Sequence, residues 1–299
     1  MVLTTTLILT TDYISRLFFY FGRVSFLLTK QIGGNNLAEI KIVATDIDGT
    51  LFDDNKNYDV KRLNDYIDKL HQKNILFTVA SGNNYDHLKR IFEKTPTIDL
   101  FIAENGAQIV EAGKTIFEHP MPKSLVHEMI KSLNRELDLK SLSISGKSAT
   151  YAESKKDLPL YHMKNLKIVP DLFQVDDTFF KFNIQLQHAD LTQAIKFLNE
   201  HYGNDVYAAV SGFGSIDIMR SNIDKGIALE RLSRLKGIPL TEIMAFGDNL
   251  NDLEMIQEVG LGVAMKNAKP EILQASDLVT ETDNNHDGVL NTLQTYFKL

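Results

Sequence analysis

Hydrophobic positions along this chain recur with two alternating periods. Residues 41–47 carry the apolar run Ile42-Val43-Ala44 into Thr45-Asp46-Ile47, the pattern of a short strand covered on both faces. A helical period follows over about 59–73, then an apolar run at 75–80, a helix over about 84–94 and a third apolar run at 100–103. The same succession resumes after Asp224. A helix carries Ala228, Leu232 and Leu235, a short strand leads into Gly247-Asp248, and an amphipathic helix runs through Leu253, Met255, Ile256 and Val259. Strands at 261–264 and 278–280 and a last helix through Val289, Leu290, Leu293 and Tyr296 complete the series. Strands alternating with helices predict a parallel sheet wrapped by helices.

Between these halves the pattern changes. Phe179-Phe180-Lys181-Phe182-Asn183-Ile184-Gln185-Leu186 alternates apolar and polar residues, as a strand with one wet face does. A helical period over Leu191, Ile195 and Leu198 follows, with short strands at 142–145 and 205–210. The fold class is therefore α/β, a Rossmann-like parallel sheet core with an inserted α+β cap domain. Expected boundaries are 38–107 and 214–299 for the core and 108–213 for the cap. Ser211-Gly212-Phe213-Gly214-Ser215 is a turn-rich connector whose glycines suit a hinge.

Residues 1–37 fit neither unit and read as an N-terminal extension. The stretch 7–28 is apolar, but Asp12, Arg16 and Arg23 interrupt it, and no run approaches the roughly 18–20 uncharged residues of a membrane span. No stable membrane insertion is expected, and the charge pattern is wrong for a signal peptide. Ile32-Gly33-Gly34-Asn35-Asn36-Leu37 can be encoded by a purine-rich ribosome-binding sequence followed by a UUG start at Leu37. On this expectation residues 1–36 are translated upstream sequence and pack poorly.

Composition narrows the function classes. With 299 residues and 43% hydrophobic content the chain can bury one large core or two modest ones. A formal charge of −7 gives no electrostatic case for nucleic acid. The absence of cysteine excludes disulfides and thiol catalysis and fits a reducing, cytoplasmic setting. The eight histidines are scattered without metal-ligand spacing, and neither a dinucleotide-binding nor a P-loop glycine pattern occurs. The pair Lys164 and Lys167 reads as a solvated face.

The candidate chemistry lies where apolar runs stop. Asp46-Ile47-Asp48-Gly49-Thr50 puts two carboxylates one residue apart at a strand end, and open α/β sheets bind ligands at that edge. Far downstream, Gly247-Asp248-Asn249-Leu250-Asn251-Asp252 repeats the arrangement. Between them Ser81-Gly82-Asn83 ends a third strand, and Lys225 opens a helix. Taken singly these have ordinary readings. Asp-x-Asp-Gly serves in turns, Ser81 could be a helix cap, and a lysine on a helix is usually solvated.

In this order the four elements resemble the motifs of the haloacid dehalogenase superfamily, over about residues 38–299. The spacing from Asp248 to Asp252 and the Glu104-Asn105-Gly106-Ala107 turn look most like its Cof-type branch, class IIB. Asn83 departs from the arginine often found there in that branch, which leaves one polar contact near the phosphate or cap open. The resemblance implies a magnesium-dependent phosphatase for small phosphorylated metabolites, sugar phosphates or phosphorylated cofactors. Charge and valence agree, since a carboxylate can attack an anionic phosphate only when a dication and positive donors neutralise it. Asp46 is then nucleophile and metal ligand, forming an aspartyl-phosphate. Asp48 is the general acid/base and offers its backbone carbonyl to the metal. Asp248 is the other direct metal ligand, and Asp252 orders metal-bound water or the lysine. Lys225 balances Asp46 and the phosphate, while Ser81, Gly82 and Asn251 bind the phosphate. A phosphomutase on the same core and a non-catalytic metabolite-binding regulator are the alternatives.

Overall fold

The computed structural model describes residues 39–158, 165–187, 191–211 and 214–299. The extension 1–37, part of the 211–215 connector and Lys164 fall outside them. Residues 40–299 cluster as one unit. In chain order the elements are β1 (Ile42–Thr45), α1 (Val60–Gln72), β2 (Leu76–Ala80), α2 (Tyr85–Ile91), β3 (Leu100–Ala103), β4 (Gln108–Glu111) and β5 (Lys114–Glu118). They continue with α3 (Lys123–Glu136), β6 (Leu139–Gly146), β7 (Thr150–Ala152), β8 (Leu166–Ile168), β9 (Phe179–Leu186), α4 (Leu191–Tyr202), β10 (Val206–Ser211) and β11 (Ser215–Arg220). The last are α5 (Lys225–Lys236), β12 (Ile243–Gly247), α6 (Leu253–Glu258), β13 (Leu261–Ala264), α7 (Pro270–Ala275), β14 (Leu278–Val279) and α8 (Gly288–Phe297).

Two sheets result. The larger has the order β14-β13-β12-β1-β2-β3-β4-β5, parallel from β14 to β3. Its central strands β13, β12, β1, β2 and β3 are buried along nearly their whole length because both faces are covered. On one face Val43, Phe77, Phe101 and Phe246 pack with Leu63 and Ile67 of α1 and Leu290 and Leu293 of α8. On the other, Ile42, Ala44, Ile102 and Ala245 pack with Ala228, Leu229 and Leu232 of α5 and Met255 of α6.

Topology then selects the site. The chain leaves β1 for β2 on one side, and β12 returns on the other, so the strand order reverses beside β1. Side chains at that switch point face a crevice at the carboxyl ends of the strands. Register sharpens this: Thr45 pairs with Phe246 and with Val79. Asp46, Asp248 and Ser81, one or two residues beyond, therefore stand at one level.

The smaller sheet, β10-β11-β9-β6-β7-β8, is antiparallel except between β7 and β8. Its apolar face, with Ile144, Phe182, Ile184, Ile216 and Ile218, packs on Val126, Met129 and Leu133 of α3 and Ala194 and Leu198 of α4.

The expected boundaries at 107/108 and 213/214 need correcting. Residues 108–118 form a hairpin that extends the larger sheet antiparallel to β3. A corner of three residues with positive φ, Glu104 (52°), Asn105 (52°) and Gly106 (105°), turns the chain back immediately after β3. Gly106 is required there, since a Cβ would meet the Asp224 carbonyl oxygen at 2.3 Å. At the other boundary β11 pairs with β9 and β10 and so belongs to the smaller sheet. The hairpin, α3 and α7 were not anticipated from the periodicity.

Candidate active site

Asp46 follows β1, and its backbone N–H still donates to the Phe246 carbonyl at 3.0 Å, so its side chain starts from a fixed point of the sheet. The chain then turns sharply. Gly49 has φ +82°, and a Cβ there would stand 2.6 Å from Asp248 Oδ2. Only glycine meets both demands, a left-handed backbone and close approach of the second acidic loop. Thr50, buried at the same turn, donates from Oγ1 to Asp248 Oδ1 at 2.8 Å.

The Asp248 loop is built on its own second carboxylate. Asp252 is fully buried, and its Oδ2 accepts from the backbone N–H groups of Asp248 and Asn249, each at 3.0 Å. Its Oδ1 accepts from Lys225 Nζ at 2.6 Å. Lys225 opens α5 behind the cap Asp224, whose side chain accepts from the Ile227 N–H at 2.8 Å. The lysine is not solvated but fully buried, and Nζ also reaches Asp46 Oδ1 at 2.5 Å. Burial opposes its charge, but Asp252 and Asp46 outweigh burial and raise its pKa. Burial, opposed by Lys225 and reinforced by Asp252 and Asp248, holds Asp46 well above the usual carboxylate range. Burial and then the Asp252 charge push Asp248 up to about 6.

Asp46, Asp248 and Asp252 each bring one oxygen within 4.8 Å of the others. Three carboxylates meet one lysine, and among the described residues Asp248 has no ion-pair partner. An all-oxygen donor set with surplus negative charge fits a hard divalent cation. Asp252 is already engaged by Lys225 and two amides, which suits an ordering role.

Asp48 stands apart from this cluster. Its carboxylate is 45% exposed and pairs with Lys56 Nζ at 2.7 Å. A strand presents residues two apart to one face only while it remains extended, and the turn at Gly49 has already begun. Ser81 is buried, and its Oγ accepts from the N–H and Nδ2 of Asn83, both at 3.1 Å. It does not cap α2; Asn84 does, accepting from the His87 N–H at 2.9 Å. Asn251 donates from Nδ2 to Asn105 Oδ1 at 3.2 Å, and the Asn105 side chain lies 3.1 Å from where a Gly82 Cβ would be. The structure thus brings Asp46, Lys225, Asp248 and Asp252 into contact, and links Ser81, Gly82 and Asn251 through Asn83 and Asn105.

The pattern of haloacid dehalogenase-like hydrolases matches residues 43–293, which include every one of these side chains. The chain belongs to this family, in its Cof-type branch. The hydrolase is 30% identical over 263 residues to the 5-amino-6-(5-phospho-D-ribitylamino)uracil phosphatase of Escherichia coli, covering 87% of this chain and 97% of that one. It is 27% identical to a phosphoglycolate phosphatase of Methanoculleus marisnigri, over 86% and 97% of the two chains. Among solved structures, a Streptococcus mutans protein superposes with TM-score 0.79 at 26% identity, over 87% of this hydrolase and all of that chain. A Thermotoga maritima protein gives 0.76 at 26% identity, over 86% and 97%.

The motifs place Thr50 and Asn105 at the strand ends without giving either a task, and a further neighbour of the site, Lys181, belongs to no motif. Lys181 comes from β9 of the smaller sheet, and its Nζ donates to the Gly82 carbonyl at 2.9 Å. The signal was the polar phase of the alternating strand 179–186, which shows which residues face away from the apolar core but not what they face.

Proposed function

We propose that this hydrolase cleaves small phosphate monoesters with Asp46 as nucleophile and magnesium as its cofactor. The observation that carries the reading is the buried Asp46 carboxylate, held by Lys225 at 2.5 Å beside Asp248 and Asp252. Lys225 fixes one Asp46 oxygen and leaves the other to attack phosphorus. Its charge also offsets the negative charge gathering on the phosphoryl group. Ser81 Oγ, the Gly82 N–H and the Asn251 amide hold the phosphate oxygens. Asp46, Asp248 and the Asp48 carbonyl would hold the metal, with Asp252 positioning the loop. When bound, it supplies the positive charge that lets a carboxylate approach a phosphate dianion.

Attack forms the Asp46 carboxyl–phosphorus bond as the phosphorus–alkoxide bond breaks, and Asp48, at the exposed mouth, protonates the leaving oxygen. Water then attacks phosphorus, Asp48 takes its proton, and Asp46 is released with inorganic phosphate. Residues from α3 to β11 act as a cap that excludes water during transfer and opens for product release. Sugar phosphates and phosphorylated cofactors are the favoured substrates, in keeping with the phosphoribitylamino-uracil ester named for the E. coli relative. Phosphate release measured with and without Mg²⁺, for the parent and Asp46→Asn, tests the reading. Equal rates for the two proteins would refute Asp46 as nucleophile.

A further inference from the structure

The Ser81-Gly82-Asn83 loop is fixed along its backbone before any ligand arrives. The Ser81 N–H donates to the Ile102 carbonyl at 2.9 Å, so the residue is still tied to β3. Its own carbonyl accepts from the Asn105 N–H at 2.9 Å, and the Asn83 carbonyl accepts from the Glu104 N–H at 3.0 Å. Lys181 holds the Gly82 carbonyl between them at 2.9 Å. Three successive carbonyls are thus engaged, and what can still turn on Ser81 is its hydroxyl.

A hydroxyl offers two acceptor sites and one hydrogen. One residue takes both acceptor sites, since the Asn83 N–H and its Nδ2 each donate to Ser81 Oγ at 3.1 Å. The first contact is the local turn that a serine makes with the residue two places on. The second comes from the side chain that stands where the Cof-type branch often has arginine. Lys181 supports the first, because the Gly82 carbonyl and the Asn83 N–H are the two ends of one peptide group, and a cation at one end strengthens donation from the other. With its oxygen filled, buried Ser81 can only donate, and among the described residues its hydrogen meets no acceptor. A buried donor in that condition is costly until a ligand supplies an acceptor, as a phosphate oxygen does.

We propose that Asn83 is a positioning residue that commits the Ser81 hydroxyl to donate to the substrate phosphate. This deepens the hydrolase reading and rests on it. Asn83 acts through Ser81 and not by its own contact with substrate. The end of its amide that faces Ser81 sets the sign of the effect. With Nδ2 there, the hydroxyl hydrogen is turned outward. With Oδ1 there, the hydrogen would be spent on Asn83, and removing the side chain would strengthen phosphate binding.

Calorimetric titration with inorganic phosphate in the presence of Mg²⁺ reads the effect, with turnover of p-nitrophenyl phosphate followed alongside. Asn83→Leu should weaken phosphate binding about tenfold, the scale of one hydrogen bond to a charged group. In a Ser81→Ala background the same substitution should change Kd by less than about twofold, because the hydroxyl it acts on is gone. Asn83→Ala should reproduce both results and takes the place of Asn83→Leu should that protein not fold. Phosphate binding that tightens, or stays within about twofold of the parent, in a folded Asn83 variant would overturn the proposal. So would an undiminished loss in the Ser81→Ala background, which is what a merely loosened loop gives. Either result with ester turnover intact in the parent removes the positioning role alone, whereas a parent that neither binds phosphate nor hydrolyses the ester removes the hydrolase reading with it.

Discussion

Lys225 Nζ lies 2.5 Å from Asp46 Oδ1 across 179 residues of chain, with both groups buried. The same nitrogen holds Asp252 at 2.6 Å, so one cation ties the first acidic loop to the last. A buried lysine with two carboxylates is stable only while all three are present, because removing the cation leaves negative charge stranded away from water.

Lys225→Met should therefore unfold more easily as well as lose turnover. The expected loss of stability is about 3–5 kcal/mol, the cost of breaking a buried ion pair from one side. Urea denaturation measures it. A loss below about 1 kcal/mol would show that the carboxylates do not depend on this charge.

Asp248 makes the metal-free protein sensitive to pH. Its pKa in the fold, about 6, lies above the ordinary 3.8, so the folded state holds this proton more tightly than the unfolded chain. The associated stability is fully present below the unfolded value and is lost as pH rises through about 6. Asp248→Asn should raise the Tm of the metal-free protein at pH 8 by about 2–4 °C, the shift given by ~1 kcal/mol in a domain of this size. The gain should vanish near pH 4. A gain that is the same at both pH values contradicts the titration.

Cation binding should show without any substrate. Mg²⁺ stabilises whichever state binds it, so the parent Tm should rise with Mg²⁺ concentration and the rise should shrink in acid, where protons compete. Asp248→Asn should abolish most of that response. A Tm indifferent to Mg²⁺ in the parent would count against the acidic cluster as a metal site.

Gly49 should not tolerate a side chain. Gly49→Ala puts a Cβ 2.6 Å from Asp248 Oδ2 at φ +82°. Strain of this kind costs on the order of 1–3 kcal/mol. Displacing Asp248 should also weaken the Mg²⁺ response, and differential scanning calorimetry with and without the cation reads both effects. Parental behaviour would mean that the two loops part readily.

Asp48 should act through the leaving group. Asp48→Asn should lower kcat about 10²–10⁴-fold for alkyl phosphates, which need protonation to depart. The drop should be much smaller for p-nitrophenyl phosphate, whose leaving group departs unaided. Equal losses on both would assign Asp48 to binding rather than proton transfer.

Much of this was legible in the chain itself. Continuous apolar runs such as 42–45 announce strands covered on both faces, and their alternation with helical periods announces a parallel sheet. The stops at Asp46, Ser81 and Asp248 announce the functional edge, because open parallel sheets leave a ligand crevice at the carboxyl ends of their strands. Local sequence also determined the bend at Gly49 and the cap at Asp224. Tertiary structure alone decided the rest. Whether Lys225 is solvated or buried depends on β12 returning beside β1, which no local period reports. The turn of Asp48 toward Lys56, the joining of residues 108–118 to the larger sheet and the meeting of Lys181 with Gly82 all depend on where separate segments come together. Periodicity specifies which face of an element is apolar; only packing specifies what its polar face meets.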